Sequence, residues 1–520
     1  MNRIVSIVAL VSLLAAGLAL AQAPFGTAFT YQGALNDAVL GPADGAYDIR
    51  FTLFDAALGG IQIGTVTQNN LTVTKGIFTA RLDFGPLAFD GGARWLELAV
   101  QAGGGGFTTL SPRQPIPAVP YALTIYARTV VVKPLGTAAQ NGALLLAAIS
   151  GLTTPSPANR WTVKLEPGDY AVGTPGLLVM PSYVDLEGSG EDVTKIESTG
   201  SALNTEGTVK AADASEMRLL TVENTGGGLA FAKAIYVSGT SGTLRHVTAR
   251  ASGATSENQG IFVDGAASPT VADATIFVDG GATSANSLGF LNVGATTTVM
   301  RNIDSFATGG SFAQAFFNFG AAPDMQRVHG IATNASSTSV GLNNLSGTSV
   351  TIRDSSFIAS GPANAFGIQN NSSGVTLENV RAVGTTTGAA FAGVGISNFS
   401  ASLSTFDSYA QGSGAGSTYG MNAGTSNISA TRSHFIATGT TGYGFNSFSS
   451  SAGPYVVKID GSTLQGATGS LVTNGTSTTT VSVGGTHLIG PTAVAAPSSH
   501  TCAATWNAAY AFFAGSLCPP

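Results

Sequence analysis

The residue types that could do chemistry in this 520-residue chain are few and regularly spaced. His329, Ser356, Arg381, Tyr409 and His434 follow one another at steps of 25 to 28 residues, with Thr248, Thr275 and Asp304 ahead of them in the same phase. Imidazole, hydroxyl, guanidinium and phenol groups suit hydrogen bonding and stacking to a sugar chain. If each step is one strand of a parallel stack, these side chains point the same way and recur every ~4.8 Å. That step is close to the length of one sugar unit, so the five would form a binding stripe. The plainer alternative is a solvent-facing strand column, where polar residues belong. His329 and His434 stand four steps apart, about 19 Å on that spacing, too far to act as one catalytic pair.

Hydrolysis of a glycoside would need two carboxylates close together, one as acid and one to activate water or attack. Across residues 234–490 Asp and Glu are sparse and mostly single per step. Asp264 and Asp279, in two copies of "IFVDG", read as strand-end turns. The only cysteines are Cys502 and Cys518. Their simplest reading is a disulfide, which would stabilise by about 3 kcal/mol on the chain-entropy model. Two thiols with no nearby acid, and His500 as the one close histidine, do not suggest a metal site. The residues themselves point to no catalytic group, no metal and no cofactor.

The elements that must position the stripe show as internal repeats. "GIFVDGAASPTVADATIFVDGG" (260–281), "GLNNLSGTSVTIRDSSFIASG" (341–361) and "GMNAGTSNISATRSHFIATG" (420–439) each open with Gly before an apolar residue. With the further glycine starts at 289, 367, 395 and 444, and with Ala234, Ala315 and Ser470 as equivalents, these starts fall 24 to 29 residues apart, a period near 26. Each unit holds short stretches of alternating Val, Ile, Phe or Thr between Gly and Asn. It has neither the leucine–asparagine framework of leucine-rich repeats nor a helical period. The fold predicted is a right-handed parallel β-helix over 124–490, ten rungs plus two or more from 160–225, on the order of 50–60 Å long. Ile276, Ile303, Phe357 and Phe435 are expected to stack inward. A turn column reads His246, Asp273, Asn302, Arg327, Asp354, Asn379, Asp407, Arg432, Asp460. "AAQNGALLLAAISGL" (138–152) predicts a capping helix. The tail 491–520, with Trp506, Tyr510, Phe512 and Phe513, is expected to cap the other end.

Residues 22–123 have a different grammar. "AYDIRFTLFDA", "GIFTARLDFG" and "ARWLELAVQ" alternate polar and apolar positions, which predicts half-buried antiparallel strands in a small β-sandwich. Pro112, Pro115, Pro117 and Pro120 read as a stiff exit from it. Ahead of it, residues 1–21 combine Arg3, an apolar run and Ala19-Leu20-Ala21, the pattern of a cleaved signal peptide. The expectation is a secreted or cell-surface protein with no membrane span once mature. Charged residues are only 10% of the chain and the net charge is −6, which argues against a nucleic-acid partner. No oligomeric state can be read from the sequence.

"VKLEPGDYAV" (163–172) with "PSYVDLEGSGEDVTKI" (181–196) resembles the first rungs of pectin-lyase-like β-helix proteins, pectinesterases in particular. The resemblance implies that the Pro-Gly-x-Tyr turn lies beside the N-terminal cap. A pectinesterase would also need one Asp in a Gln-Asp-Thr setting and another in Asp-Phe-Ile-Phe-Gly, and neither is present, so no catalytic residue is carried over. "FTYQGAL", "GAYDIRFTLFDA", "FDGGARWLELAV" and "LSPRQPIPAVPYAL" resemble a domain at the N-termini of bacterial secreted and tail-fibre-like proteins, which implies presentation or attachment. The sequence therefore suggests a non-catalytic β-helix protein for adhesion, display or binding of a polysaccharide or cell-surface glycan. The alternative is a polysaccharide lyase or carbohydrate esterase with a non-standard site.

Overall fold

The computed structural model describes residues 28–116 and 128–513, apart from 38–40, 86–87, 89–92, 174–176, 202, 204, 282–284, 295–296, 347–348, 372–373, 400–401, 425, 450–453, 476–478, 495–497, 504 and 508–511. The chain forms two compact units, 1–125 and 126–520. The expected signal peptide lies outside the described residues.

In the first unit, Phe29–Ala34 pairs antiparallel with Ile77–Leu82. A second antiparallel sheet runs in the order Gln62–Val73, Gly45–Phe54, Arg94–Ala102, Thr108–Thr109. Alternation explains the packing: Ile49, Phe51, Leu53, Leu96 and Leu98 turn inward to meet Phe78 and Leu82 of the other sheet. Tyr31 and Phe78 contact Phe51 across the layers at centroid distances of 5.7 and 6.3 Å. The proline exit starts later than expected. Gln114–Ile116, including Pro115, pairs with Arg94–Ala102 at the sheet edge, where a missing N–H costs little. Arg113 fixes this segment, 3.4 Å over the Phe54 ring and 3.0 Å from Glu97. Pro117 and Pro120 lie outside the described residues.

The second unit is a right-handed parallel β-helix with about 26 residues per turn. Its strands form one parallel sheet of 13 and one of 23, and only the last pairing of the larger sheet is antiparallel. Each turn gives one strand to the smaller sheet and two arms to the larger, joined at a corner. The corner residue is left-handed: Leu219, His246, Asp273, Asn302, Arg327, Asp354, Asn379, Asp407 and Arg432 have φ of 48–58°. Gly461 and Gly485 continue the column. The corner in that rung is therefore Gly461, because Asp460 still pairs with Thr431 as strand. Side chains offset the strain by bonding across rungs. Asn302 donates to Asp273 at 2.7 Å, Asn379 to Asp354 at 2.9 Å, and Arg432 to Asp407 at 2.7 and 2.8 Å.

Inside, Ile276, Ile303, Phe357 and Phe435 are all fully buried. Register separates them into two columns. Ile276, Ser305, Gly330, Phe357, Ala382, Ala410 and Phe435 stack in one, while Ile303 follows Ala274 in its neighbour. Small and large residues alternate so that rings from the two sheets interdigitate. A Cβ at Gly330 would come within 2.9 Å of the Phe316 ring, which packs edge-on to Phe357. The repeat glycines have the same cause. A Cβ at Gly367, Gly395 or Gly420 would lie 2.4–2.5 Å from a backbone nitrogen of the facing sheet. The two sheets meet there backbone to backbone, and only a residue without a side chain fits.

Asn292, Asn318, Asn344, Asn370 and Asn398 form a further buried column in the smaller sheet. Asn318 donates to Asn344 at 2.8 Å, Asn370 to Asn398, and Asn398 to Ser426 at 2.7 Å. The capping helix is Ala138–Ser150, started by a Thr137–Gln140 capping box. Its Gly142 leaves no room for a side chain against the Ala171 carbonyl. Tyr170, from the Pro-Gly-x-Tyr turn, is fully buried, its hydroxyl 2.7 Å from the Glu166 carbonyl and 3.1 Å from that of Val132. At the far end, parallel pairing continues through Ser499–Ala503 to Trp506, and Thr505–Trp506 pairs back with Phe512–Phe513. Cys502 is buried. Tyr510, Cys518 and the expected Cys502–Cys518 bond fall outside the described residues.

Candidate functional site

The second arm of the larger sheet presents alternate residues to solvent, and the five stripe residues occupy one position along it. Register places His329 beside Ser356, Ser356 beside Arg381, Arg381 beside Tyr409 and Tyr409 beside His434. His329, Arg381 and His434 are exposed, and Ser356 and Tyr409 half-buried. The column extends both ways: Thr221, Thr248, Thr275 and Asp304 precede it, and Thr463, His487 and Trp506 follow. Within it, His329 Nδ1 lies 3.0 Å from Ser356 Oγ, which leaves Nε2 directed elsewhere. The Arg381 guanidinium sits 5.9 Å from the Tyr409 ring centre, and the Tyr409 hydroxyl donates to Gln411 at 2.7 Å.

Two residues further along the strand runs an apolar column that was not apparent from sequence: Phe277, Phe306, Ile331, Ile358 and Val383, all at least partly covered. A hydroxyl column of Thr308, Thr333, Ser360, Thr385 and Ser413 lies beyond it. Phe277 and Phe306 stack on each other at 5.2 Å with planes 10° apart, and the Arg250 guanidinium lies 4.4 Å from the Phe277 ring. Their faces are turned along the rod, so they offer edges to a ligand. Together with Glu223, Ser252, Asp279 and Thr308 they line an open groove of about 330 Å³. Asp279 itself caps a strand-end turn, accepting from Gly281 N at 2.7 Å, and Asp264 ends its strand accepting from Tyr236 at 2.8 Å.

Carboxylates do cluster, in the first rungs. Lys195 Nζ lies 2.7 Å from Glu197, 3.2 Å from Glu223 and 3.9 Å from Asp169. Glu197 and Glu223 are one rung apart, paired in register. The hydrogen bonds it donates to them push the Lys195 ammonium well above the ordinary lysine range: the bond to Glu197 is the largest influence, and burial works the other way. Glu187 is flanked by Lys164 at 2.9 Å and Arg218 at 2.7 Å. Its burial would raise the carboxyl, but those two hydrogen bonds outweigh it and hold the group below the usual carboxylate range. Higher up, Arg301 and Arg353 share Asp324, and Arg353 also holds Glu378 at 2.8 Å. In each case a base lies directly against the carboxylates.

One more buried base lies on the smaller sheet. Lys233 is fully buried, with its ammonium 4.1 Å from the Phe262 ring centre and 4.7 Å from that of Tyr236. Burial lowers it to about 7, against the opposing pull of Asp264, Glu257 and Glu206. No set of three or more His, Cys, Asp or Glu side chains close enough to hold a metal ion occurs among the described residues. No helix among them is long and apolar enough to cross a membrane.

The register and period make the rod a parallel β-helix. A family model described as "Domain of unknown function (DUF8740)" matches residues 30–113, within the sandwich unit. No curated protein matches the chain. Among solved structures it is similar to the catalytic unit of a thermostable GH87 alpha-1,3-glucanase from Streptomyces thermodiastaticus, at 14% identity over 91% of this chain and 86% of that one, with a TM-score of 0.31. Pectin methylesterase from carrot is 12% identical over 55% of this chain and 78% of that one, TM-score 0.25. The ORF18 protein of Geobacillus virus E2 is 10% identical over 79% and 66%, TM-score 0.23. Likeness at this level carries nothing about activity; the chemistry must come from this chain's own residues.

Proposed function

We propose that the protein is exported by its N-terminal leader to the cell surface or beyond, and serves there as a non-catalytic rod for adhesion or display that binds polysaccharide. The observation that supports this reading is the exposed column His329, Ser356, Arg381, Tyr409, His434, in register on one strand face beside an aliphatic column. Hydrogen-bonding groups at one sugar length per rung, next to apolar ground for C–H faces, fit a glycan lying along the rod axis. The Phe277 and Phe306 rings offer edges rather than faces, so binding is mainly through hydrogen bonds and charge. The sandwich unit fits attachment or presentation, and a Cys502–Cys518 disulfide fits an extracellular setting.

A second reading, a carbohydrate-active enzyme with a non-standard site, is favoured by Glu197 and Glu223 near the Phe277–Phe306 groove. Lys195 between them counts against an acid–base pair. Retention of the full-length protein on immobilised polysaccharides, compared with a His329→Ala/Arg381→Ala/Tyr409→Ala variant, tests the first reading. Loss of retention with an unchanged thermal midpoint supports it. Equal retention of both proteins removes the column from the account.

A further inference from the structure

Across seven consecutive rungs the stripe is a strict alternation: His329, Ser356, Arg381, Tyr409, His434, Thr463, His487. A basic side chain occupies every second rung and a hydroxyl every rung between. The bases therefore recur at about 9.6 Å, twice the strand spacing, which is close to the length of two sugar units. None of His329, Arg381 and His434 joins the ion pairs among the described residues, whereas Arg301 and Arg353 of the first arm and Arg432 of the corner pair with carboxylates and the corner Arg327 bonds to Asn302. At the lower end the alternation stops at an acid, Asp304. At the upper end the His487 ring is already engaged, 2.9 Å from the Asn507 carbonyl. The open part of the track thus runs over His329, Arg381 and His434, with Ser356 and Tyr409 between.

We infer that the column recognises an extended acidic polysaccharide carrying one carboxylate on every second sugar, its anions over His329, Arg381 and His434 and its neutral sugars over the hydroxyls. This rests on the polysaccharide-binding reading and narrows it to a ligand class. Unmatched bases at a two-rung period pair with anions at a two-sugar period, and each base can donate N–H bonds to a carboxylate. A polymer charged on every sugar would set half its carboxylates over Ser356 and Tyr409. A neutral polymer would leave the guanidinium unanswered. The Ile331, Ile358 and Val383 column alongside gives the sugar rings apolar contact along the same path.

The test is affinity electrophoresis of the full chain in gels holding hyaluronan, which has one carboxylate per two sugars, carboxyl-reduced hyaluronan, or polygalacturonate, charged on every sugar. The expected result is strong retardation by hyaluronan, less by polygalacturonate and little by the reduced polymer. Arg381→Gln should weaken hyaluronan binding roughly fivefold, the upper end for one exposed ion pair. The double variant Ser356→Arg/Arg381→Ser keeps the charge and breaks its period. It should lose binding like Arg381→Gln, with an unchanged thermal midpoint confirming that it folds. Binding by the double variant at the wild-type level would overturn the spacing argument. Equal retardation by hyaluronan and its reduced form would overturn the charge argument while leaving polysaccharide binding standing. No retardation in any gel would overturn both.

Discussion

The rungs from 161 to 250 and those from 324 to 465 share one backbone and use the charges of the second arm differently. In the first group several bases sit against acids on the next rung or along the same strand: Lys164 and Arg218 on Glu187, Arg160 on Asp185, Lys195 on Glu223 and Glu197, while Lys210 and Arg250 lie against aromatic rings. There the parallel register turns residues 23 to 31 apart in sequence into ion pairs, which tie the capped end of the solenoid together. In the second group the interior is held by apolar columns and buried asparagines, and the outer column keeps His329, Arg381 and His434 outside the ion pairs among the described residues, with Asp304 in register beside His329. A fold that pairs charges rung to rung in both groups, Arg353 with Glu378 and Arg432 with Asp407 included, leaves His329, Arg381 and His434 out of those pairs. Those are the groups left over for a ligand.

The largest effect should come from the interior of the second group. Gly367→Val would drive a side chain into the Val383 backbone. It should cost at least about 3 kcal/mol, the severe end of overpacking, read as the loss of the folded β signal in thermal unfolding. Phe357→Ala, which empties the interdigitated column, should cost about 3–5 kcal/mol. Asn344→Leu should destabilise by about 1–3 kcal/mol because Asn318 loses its acceptor inside the rod. A neutral result there would mean that the asparagine column is ornament and the comparison loses one of its terms.

In the first group the effects should be smaller and salt-dependent. Glu187→Gln should lower stability by up to about 1 kcal/mol at low salt, with the difference shrinking at high salt as expected of partly exposed pairs. Lys233 gives a pH signature. Its folded value of about 7 lies below its unfolded one, so between pH 7 and 10 the unfolded chain binds the extra proton. Stability from this group therefore rises with pH across that window. The thermal midpoint of the wild type should rise relative to Lys233→Met from pH 7 to pH 9. A parallel course for the two proteins would refute the assignment. The smallest structural effect belongs to the stripe. His329→Ala, Arg381→Ala and Tyr409→Ala should each change stability by no more than about 0.5 kcal/mol, as surface substitutions do.

Much of the rod was legible in the sequence because a 26-residue period leaves the same residue type at the same place each turn. The Gly starts, the corner residues and the five stripe positions all align on it. Legibility failed where position depends on counting along the strand. Ile303 shares the interior with Ile276 but belongs to the next column, and Gly461 rather than Asp460 turns the corner. Gln62–Val73, a 12-residue edge strand rich in Thr, Gln and Asn, lacks the apolar alternation that marked its neighbours. The Glu197–Lys195–Glu223 cluster was hidden because its members are one rung apart in a region where the repeat signal is weak. Asn292 to Asn398 did recur at the period and could have been found by tabulating it. The basic–hydroxyl alternation needed the strand register to bring Thr463 and His487 into the same column.

The account as a whole stands on the rod holding a polysaccharide without altering it. The direct measurement is to incubate the full-length protein with acidic polysaccharides, including methyl-esterified pectin, with and without calcium. Bound polymer is then recovered and assayed for chain length, unsaturated ends and released methanol. The account expects polymer retained by the protein and returned at its original length and esterification. Shortened, unsaturated or de-esterified chains would contradict it, and would move attention from the His329–His434 column to Glu197 and Glu223.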